Sequence, residues 1–290
     1  MSRIVIAGCG DVGSALGVQL ARAGHEVWGV RRRPERLPSP LRGVAADLCE
    51  PSSLHALPAD PEVIVYAAAA DERSEAAYRR AYVDGVRNVI HATARGGTVR
   101  LFVFTSSTAV YGQQDGEWVD EDSVTAPRAF NGRLLLEGER LVLAGDVPGA
   151  VVRLAGVYGP GRTRLIDDVR AGRAVCRGDG PVYANRVHRD DCASALAHVV
   201  GLSRPDPLWL AVDDEPAARC DVLRWLASRL GATPPAHVPG PAESPGKRCR
   251  NAKLRRSGWT PRYPTFREGY EAVLGARGAR PADPSSPRRG

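Results

Sequence analysis

Short apolar segments alternate with amphipathic ones through the first 155 residues of the chain. Runs of about four to six mostly apolar, β-branched residues between turn signals are typical of buried strands. The intervening segments carry apolar residues on one helical face, as at Val12, Leu16 and Leu20, and therefore predict helices. Because strands and helices alternate, the pattern predicts a parallel sheet with helices on both faces. The predicted strands are 4–7, 26–30, 43–46, 63–67, 101–105 and 150–154.

The regular alternation of predicted strands and helices ends after Tyr158-Gly159-Pro160-Gly161. The later pattern predicts helices at 165–171, from 190 onward and at 221–230, with a strand at 208–212. We therefore expect a Rossmann-type, doubly wound α/β fold with its parallel sheet in residues 1–160. A smaller C-terminal substrate lobe, interleaved with the sheet, is expected at 161–275. Residues 276–290 are rich in Pro, Ser, Gly and Arg and predict a disordered tail.

Composition narrows the class of protein. No apolar run approaches the roughly 20 residues of a membrane-spanning helix, and Met1-Ser2-Arg3 leads directly into the first predicted strand. We expect a cytoplasmic protein with no membrane contact. The formal net charge is +7, of which four arginines and one aspartate after residue 275 supply +3. The sequence has no run of basic residues interleaved with aromatic residues. We therefore expect the positive charge to bind the phosphates of a small-molecule ligand and not nucleic acid.

The six cysteines are scattered along the chain and show no C-x-x-C spacing. A disulfide framework or a structural zinc site needs closer, patterned cysteines. We therefore expect free, mostly buried thiols and no bound metal. The cysteines are Cys9, Cys49, Cys176, Cys192, Cys220 and Cys249.

A glycine-rich segment, Gly8-Cys9-Gly10-Asp11-Val12-Gly13, follows the first predicted strand and opens the first predicted helix. In this G-x-G-x-x-G context, Gly8 allows a tight turn, Gly10 lets the backbone approach a pyrophosphate, and Gly13 allows close helix–strand packing. The N-terminus of the helix faces the phosphate charge. The segment, including Asp11 and Val12, therefore predicts a dinucleotide site; the alternative is a glycine-rich turn without a ligand.

The end of the second predicted strand carries arginines where an NAD site usually carries an acid. The residue 18 positions after Gly13 is Arg31, and Arg32 follows it. A carboxylate there would bind the ribose hydroxyls of NAD, whereas guanidinium groups pair with the 2′-phosphate of NADP. We expect NADP, with NAD less favoured; the alternative is a solvated basic turn before Pro34.

Five further motifs follow in order: Asp47-Leu48, Tyr66-Ala67-Ala68-Ala69, Phe104 to Ser107 with Val110-Tyr111-Gly112, Arg153 to Arg162, and Val187 to Asp191. Together they resemble those of the extended short-chain dehydrogenase/reductase family, NAD-dependent epimerases and dehydratases that often act on nucleotide sugars. The resemblance covers about residues 1–275. The glycine spacing departs from the family's usual T-G-x-x-G-x-x-G and suggests an atypical branch with a shorter first turn.

The resemblance implies roles for several residues. Asp47 and Leu48 would contact the adenine, and Ala67 and Ala68 would pass beneath the nicotinamide ribose. It also implies a homodimer through a four-helix interface built from the helices around 76–94 and 134–143.

The family's catalytic pattern is incomplete in this chain. Members resemble one another in a Ser or Thr followed by Tyr-x-x-x-Lys on the next helix, where the tyrosine moves a proton and the lysine lowers its pKa. Ser107 fits the serine. Aligning Glu137 with the acid four residues past the lysine places Arg133 at the lysine and Ala129 at the tyrosine. Residues 112–157 contain neither tyrosine nor lysine, and an arginine is not a practical proton donor.

Three residues are alternatives for the missing proton donor. Tyr111 lies near Ser107 in the chain, Tyr158 opens the glycine–proline loop, and His188 could titrate near neutral pH. Each also has a structural interpretation, as a turn, packing or pocket-lining residue. The remaining possibilities are Ser107 acting with a bound water, or no chemistry at all.

Basic residues of the second half would line the substrate crevice if the lobe folds back as it does in the family. Tyr158, Arg162, Asn185 and Arg186 are the predicted substrate contacts. Arg153, Lys247 and Arg248 are further candidates for the crevice, and surface or interdomain ion pairs are the alternative for each basic residue.

We therefore expect an NADP-dependent oxidoreductase or epimerase/dehydratase-like enzyme that acts on a small hydroxy, carbonyl or sugar-nucleotide-like substrate. The intact glycine segment, Ser107 and the substrate lobe favour this hypothesis. Loss of the Tyr-x-x-x-Lys pair favours the alternative, a non-catalytic NAD(P)-binding sensor or scaffold protein. A redox-neutral lyase or isomerase with a tightly held cofactor is a third possibility.

Overall fold

The computed structural model describes residues 1–94, 96–240 and 244–278. Its main sheet contains β1 (Arg3–Ala7), β2 (Glu26–Arg31), β3 (Arg42–Ala45), β4 (Val63–Tyr66), β5 (Leu101–Ser107), β7 (Gly149–Leu154) and β11 (Leu208–Ala211). All seven strands are parallel, in the order β3-β2-β1-β4-β5-β7-β11. The strand order reverses between β1 and β4, where an open α/β sheet forms its ligand crevice. The predicted fold class is confirmed.

The central strands are apolar along their length because helices cover both faces of a doubly wound sheet. All four residues of β4 and the last four of β1 are buried. Ala7 at the end of β1 is level with Val30 of β2 and with Tyr66 of β4. The carboxyl ends of these three strands therefore open at one edge of the sheet.

Helices pack against the sheet in two groups. In the first group α1 (Asp11–Arg22) contacts α6 (Arg189–Gly201), and in the second α4 (Phe130–Leu143) contacts α2 (Glu75–Arg79) and α3 (Gly85–Ala94). A π-helical segment, Arg80–Asp84, joins α2 to α3. Leu143 at the end of α4 is 38% exposed, which leaves an apolar side chain on the predicted dimer face; the homodimer itself stays a prediction.

The C-terminal half contributes to two parts of the molecule. It supplies β11 to the main sheet, and its helix α6 packs against α1. A second core forms around α5 (Arg164–Arg170), α7 (Arg219–Leu230) and α9 (Phe266–Gly278), and it contains Tyr158. The remaining helix, α8 (Ala252–Arg256), contacts β11. Helix α9 extends three residues into the predicted disordered tail, and residues 279–290 lie outside the described residues.

Within the described residues, three two-stranded parallel sheets connect distant parts of the chain. β6 (Asp115–Val119) pairs with β13 (Gly246–Cys249), and β8 (Gly156–Tyr158) pairs with β10 (Arg186–His188). β9 (Val175–Arg177) pairs with β12 (Ala236–Val238). The first two pairs bring residues after β5 and β7 against the C-terminal half, beside the open edge of the main sheet.

The prediction that all six cysteines are free is wrong for two of them. Cys176 of β9 and Cys220 of α7 form a disulfide, with their Cα atoms 5.5 Å apart and a separation of 44 positions in the chain. Their long separation gives no local spacing signal, and only the packing of α7 beside β9 brings them together. Cys9, Cys192 and Cys249 are free and buried, as expected, and Cys49 is free and partly exposed.

For the described residues, the sequence predicts neither a membrane-spanning helix nor a metal site. Among them, no helix is both long enough and apolar enough to cross a membrane. In the same part of the chain, no group of three or more His, Cys, Asp or Glu side chains is arranged to hold a metal ion.

Candidate functional site

A cleft of about 1190 Å³ opens at the carboxyl edge of the main sheet, across the point where the strand order reverses. Its floor is formed by the residues that follow β1, β2, β4 and β5. Among the sequence-predicted site residues, those that line it are Gly8, Gly10, Asp11, Val12, Arg31, Arg32, Asp47, Leu48, Ala67, Ala68, Ser107 and Arg162. A single crevice therefore brings together most of the predicted cofactor-binding residues.

The glycine turn after β1 is shaped to receive a phosphate group. Gly8 has φ +86°, and a side-chain carbon there would overlap the backbone of Ala68, so only glycine lets the turn lie against the end of β4. A carbon added to Gly10 would meet no atom closer than 4.0 Å, which leaves its backbone open to the cleft. Gly13 packs on β1, where an added carbon would lie 3.0 Å from Ile6.

Helix α1 begins directly after this turn. Gly10 is its N-cap, and no side chain caps the helix. The first N–H groups and the positive end of the helix dipole therefore face the cleft, as in anion sites at helix N-termini. Together with the close approach of Gly8 and Ala68, this geometry fits the pyrophosphate of a dinucleotide.

One end of the cleft is rich in arginine. Arg31 donates an Nη1 hydrogen bond to the Cys9 carbonyl oxygen at 3.4 Å, and Arg32 pairs with Asp71 across the cleft mouth at 2.7 Å. Arg33 and Arg36 also line this end. Guanidinium groups thus surround the space beyond β2, where the ribose nearest the adenine would lie.

Asp47 and Leu48 lie on the other side of that arginine-rich end. The carboxylate of Asp47 accepts a hydrogen bond from the backbone N–H of Cys49 at 2.9 Å, and its own N–H donates to the Ser53 hydroxyl at 3.0 Å. Leu48 is buried. These contacts fix the loop after β3 beside the cleft, where the resemblance places the adenine.

The opposite end of the cleft is mainly apolar. Leu135, Leu154 and Val157 form its wall, and Ala67 and Ala68 form its floor. Ser107, the last residue of β5, reaches the same space, and its hydroxyl oxygen accepts the Ala109 N–H at 3.2 Å. A hydroxyl proton of Ser107 therefore remains available to a bound molecule.

Helix α4 presents a leucine and not a cation to this space. Glu139 is 1% exposed and forms a bidentate ion pair with Arg153, with distances of 3.0 and 2.7 Å, while Ser106 donates to it at 2.5 Å. Glu137 instead lies outside, 3.2 Å from Arg79. Counting the family's pattern back from Glu139 places Leu135 at the lysine position.

The same count places Asn131 at the tyrosine position and moves Arg133 out of the pattern. The guanidinium of Arg133 is exposed and donates to the Arg128 carbonyl oxygen at 2.8 Å, away from the cleft-lining residues. The alignment from Glu137 is therefore displaced by two residues, or more than half a helical turn. The burial stripe of α4, which holds Leu135, Glu139 and Val142 together, is the signal that identifies the correct acid.

The three alternative proton donors lie outside the cleft-lining set. Tyr111 donates to the Asp120 carbonyl oxygen at 2.7 Å and accepts from Arg153 at 2.9 Å. Burial raises the pKa of Tyr111 to about 12. The hydroxyl is thus engaged in the packing of the β6 segment and is a poor proton donor at neutral pH.

Tyr158 belongs to the second core, and the buried ring of His188 contacts it with the ring centroids 5.4 Å apart. Tyr158 stacks on Tyr270 with ring centroids 4.6 Å apart, and burial raises its pKa. Burial lowers the pKa of His188 to about 4, and its Nδ1 accepts the backbone N–H of Asp190 at 3.2 Å. The expectation that His188 titrates near neutral pH is therefore wrong, because this buried imidazole is neutral at pH 7.

Two tyrosines that sequence reasoning missed do line the cleft. Tyr66, at the end of β4, donates to the Ala81 carbonyl oxygen at 2.5 Å, and burial raises its pKa. Burial also raises the pKa of Tyr82, whose hydroxyl oxygen accepts a backbone hydrogen bond from Ala70. Both phenols are bound to backbone groups of the cleft wall.

Most of the predicted substrate-binding side chains instead hold the lobe together. Asn185 donates to the Lys247 carbonyl oxygen at 2.9 Å and accepts the Cys249 N–H at 2.7 Å, which anchors β13. The buried Arg186 donates to the Ala184 carbonyl oxygen at 2.6 Å. Of the five basic residues proposed for the crevice, Arg162 lines it; the other four, Arg153, Arg186, Lys247 and Arg248, donate to protein atoms elsewhere.

The fold and the cleft define a nicotinamide-dinucleotide-binding protein of the Rossmann type, and comparison with known proteins agrees. The chain belongs to the NAD dependent epimerase/dehydratase family, whose model matches residues 4–206. The resemblance inferred from the motifs is thus confirmed. Members of this family are enzymes that use a nicotinamide dinucleotide.

Known relatives span nearly the whole chain. A Streptomyces protein named 3-diazoavenalumate denitrifying reductase is 30% identical, over 92% of this chain and 98% of its own length. A Methylobacillus flagellatus structure, described as an NAD-dependent epimerase/dehydratase, is 35% identical with a TM-score of 0.80, over 96% of this chain and 99% of that chain. MoeE5, in complex with UDP-glucuronic acid and NAD, is 25% identical with a TM-score of 0.81, over 95% and 99%.

Proposed function

We propose that this protein is an NADPH-dependent reductase whose acceptor receives a hydride without a proton from the protein. The observation that carries the proposal is Leu135, which lies in the cleft wall where the family has its lysine, with Asn131 one helical turn earlier at the tyrosine position. An uncharged pair at these positions can neither acidify a phenol nor deliver its proton. The retained Ser107 can still donate a hydrogen bond to the acceptor.

The choice of NADPH rests on the arginine-rich end of the cleft. Arg31, Arg32, Arg33 and Arg36 supply up to four guanidinium groups there, and a 2′-phosphate pairs well with such groups. Arg32 is already held by Asp71, so Arg31 and Arg33 are the residues proposed to contact the phosphate. The NAD-bound neighbours make NAD the competing cofactor.

The apolar end of the cleft suits a flat, hydrophobic acceptor. Leu135 and Leu154 are 4% and 8% exposed, so they exclude water from the reacting atoms. When bound, NADPH supplies a hydride from its nicotinamide ring. Ser107 is proposed to orient the acceptor through its hydroxyl proton.

The kind of acceptor follows from the missing proton donor. A carbonyl that gains a hydride becomes an alkoxide, whose high basicity makes a nearby acid valuable. An aryldiazonium ion that gains a hydride becomes an arene and releases dinitrogen, so atoms and charge balance with no proton from the protein. The Streptomyces relative is named for a diazo compound, and we propose an aromatic diazo compound as the acceptor here.

This proposal is tested by supplying NADPH with a hydroxy-substituted benzenediazonium salt and, in parallel, with aromatic aldehydes and ketones. We expect NADPH oxidation matched one-to-one by dinitrogen release, measured by membrane-inlet mass spectrometry. We also expect kcat to change little with pH over the range in which the acceptor is stable, because no protein acid titrates during the step. Efficient reduction of the carbonyl compounds alone, lost in Tyr82→Phe, would instead identify Tyr82 as a proton donor.

Cofactor choice is tested separately by titration calorimetry with NADP and NAD. We expect tighter binding of NADP than of NAD. We expect the double variant Arg31→Ala with Arg33→Ala to weaken NADP binding by about 100- to 10,000-fold while leaving NAD binding nearly unchanged, since each of the two charged hydrogen bonds contributes about 1.5–3 kcal/mol. Arg73→Ala, outside the cleft-lining residues, is the control for loss of positive charge. Equal losses for both cofactors would contradict a 2′-phosphate contact.

The second candidate function is a non-catalytic sensor or scaffold that binds NADP. It is favoured by the same neutral positions, Asn131 and Leu135. NADP binding without turnover of either the diazonium salt or the carbonyl compounds would support it over the reductase.

A further inference from the structure

Asp11 places a carboxylate at the phosphate-binding end of the cleft. It is the first residue of α1 and follows Gly10, the residue whose open backbone faces the cleft. A carboxylate in the first turn is stabilised by the helix dipole, but a nearby phosphate would be repelled by its charge. On charge alone, Asp11 is therefore expected to oppose dinucleotide binding.

Two arginines from distant segments hold this carboxylate. Arg162 donates its Nε–H to Oδ2 of Asp11 at 2.8 Å, and Arg189 donates an Nη1 hydrogen bond to Oδ1 at 3.1 Å. Arg189, the first residue of α6, is also bound to Asp190 at 2.8 Å. Each oxygen of Asp11 thus has its own guanidinium partner, and Arg189 is further occupied by a second acid.

Arg162 differs from Arg189 in its exposure and in the number of guanidinium N–H groups that have a hydrogen-bond partner. Its side chain is 45% exposed and lines the same cleft as Gly10, whereas that of Arg189 is 23% exposed and is not a lining residue. Within the described part of the chain, Nε–H is the part of the Arg162 guanidinium that has a hydrogen-bond partner. The two Nη groups are therefore free to donate within the cleft that Gly10 also lines.

The segment that carries Arg162 is itself tightly turned. Gly159 has φ +140° and Gly161 has φ +78°, and the Arg162 N–H donates to the Gly159 carbonyl oxygen at 3.0 Å. These glycines turn the chain between β8 and α5. The arginine thus reaches the cleft from the substrate-lobe side, opposite the glycine turn after β1.

We propose that Asp11 is a positioning residue, which fixes Arg162 so that its Nη groups bind the pyrophosphate of the dinucleotide. The carboxylate takes Nε–H, the side of the guanidinium that faces α1, and directs the remaining N–H groups toward the phosphate. Its own repulsion is offset by the two guanidinium groups that it binds. An acid at a phosphate site then strengthens phosphate binding.

The simpler explanation is an ion pair that only joins α1 to the substrate lobe. Partly exposed pairs of this kind contribute little to stability. The two explanations differ in sign for one variant. If Asp11 only joins the elements, Asp11→Asn removes a negative charge near the phosphates and binding is unchanged or tighter; if it positions Arg162, binding is weaker.

The test is calorimetric binding of NADP to the wild type, Asp11→Asn, Arg162→Gln and the double variant, without turnover. We expect each single variant to weaken NADP binding by about tenfold, the loss of one charged hydrogen bond. The double variant should be no weaker than Arg162→Gln alone, because Asp11 acts through Arg162. Adenosine 2′-monophosphate, which lacks the pyrophosphate, should bind all four proteins equally.

Arg173→Gln is the matched control. Arg173 lies in the same lobe, pairs with Asp168 at a distance of 2.9 Å, and does not line the cleft. NADP binding should be unchanged in this variant. Unchanged or tighter NADP binding by Asp11→Asn overturns the proposal. So do additive losses in the double variant, equal weakening of the monophosphate, or a wild type that binds no dinucleotide. This test measures NADP binding and not acceptor turnover. Its outcome therefore does not depend on whether the reductase proposal is correct.

Discussion

Asp213 follows β11 and is 3% exposed. Burial raises its pKa to about 8, and the nearby Arg186 lowers it only in part. The folded protein therefore keeps this carboxyl protonated at neutral pH, whereas the unfolded chain loses the proton near pH 4. Between these values the folded state binds more protons, so this residue makes the protein less stable as pH rises from about 4 to about 8.

We expect Asp213→Asn to remove that dependence. The free energy of unfolding of the variant minus that of the wild type should increase between pH 5 and pH 8, by an amount on the order of a few kcal/mol. Urea unfolding at the two pH values measures this difference. His188 and Asp191 titrate in both proteins and cancel. A difference independent of pH would show that Asp213 is already ionised in the folded protein.

Among individual residues, those required by the local backbone conformation or by a fixed spacing could be predicted from the sequence. Gly8 and Gly10 follow from the turn that a phosphate site requires, and Arg31 from its distance along the chain. Side chains whose roles depend on burial were not predictable. His188 and Tyr111 have the right chemistry, but neighbours distant in sequence surround them: the centroid of the Tyr263 ring lies 4.1 Å from that of His188, and Arg153 in β7 donates to Tyr111.

At the scale of the element, α4 shows why the catalytic alignment was ambiguous. The run Leu134-Leu135-Leu136 fits more than one buried face, so both Glu137 and Glu139 are compatible with the pattern. The choice is made by Arg153 and Ser106, which arrive from two other strands of the sheet and pair with Glu139. The apolar pattern predicts that α4 is a helix. Which of its faces is buried depends on Arg153 and Ser106, which the helix pattern does not show.

The π-helical segment at Arg80–Asp84 is a second element that periodicity did not predict. It interrupts the α2–α3 helix and directs the Ala81 carbonyl oxygen toward Tyr66. Ala81 and Tyr82 thereby become part of the cleft wall. Such single-turn insertions often occur at functional sites; here the insertion contains Tyr82 and supplies the carbonyl oxygen that accepts from Tyr66.

For the whole molecule, the alternation of strands and helices was sufficient to predict six of the seven strands of the sheet; the strand predicted at 208–212 was assigned to the lobe, and it forms the seventh strand, at the sheet edge. The alternation was not sufficient to divide the chain, because β11 and α6 follow the lobe's first helix and yet complete the sheet domain. The second core around α5, α7 and α9 has no such repeating pattern. Its contacts are long-range, and so is the disulfide within it.

The Cys176–Cys220 disulfide, in that second core, links two cysteines that are 44 positions apart in the chain. A cross-link of this kind stabilises mainly by restricting the unfolded chain, typically by about 2–4 kcal/mol. We expect Cys176→Ala with Cys220→Ala to lower the free energy of unfolding by about that amount, measured by urea unfolding. Dithiothreitol should destabilise the wild type to a similar extent and leave the double variant unchanged. Cys49→Ala, at a free and partly exposed cysteine, is the control. Because the cleft is built on the other core, NADP binding should persist in the double variant; its loss would show that the two cores fold as one cooperative unit.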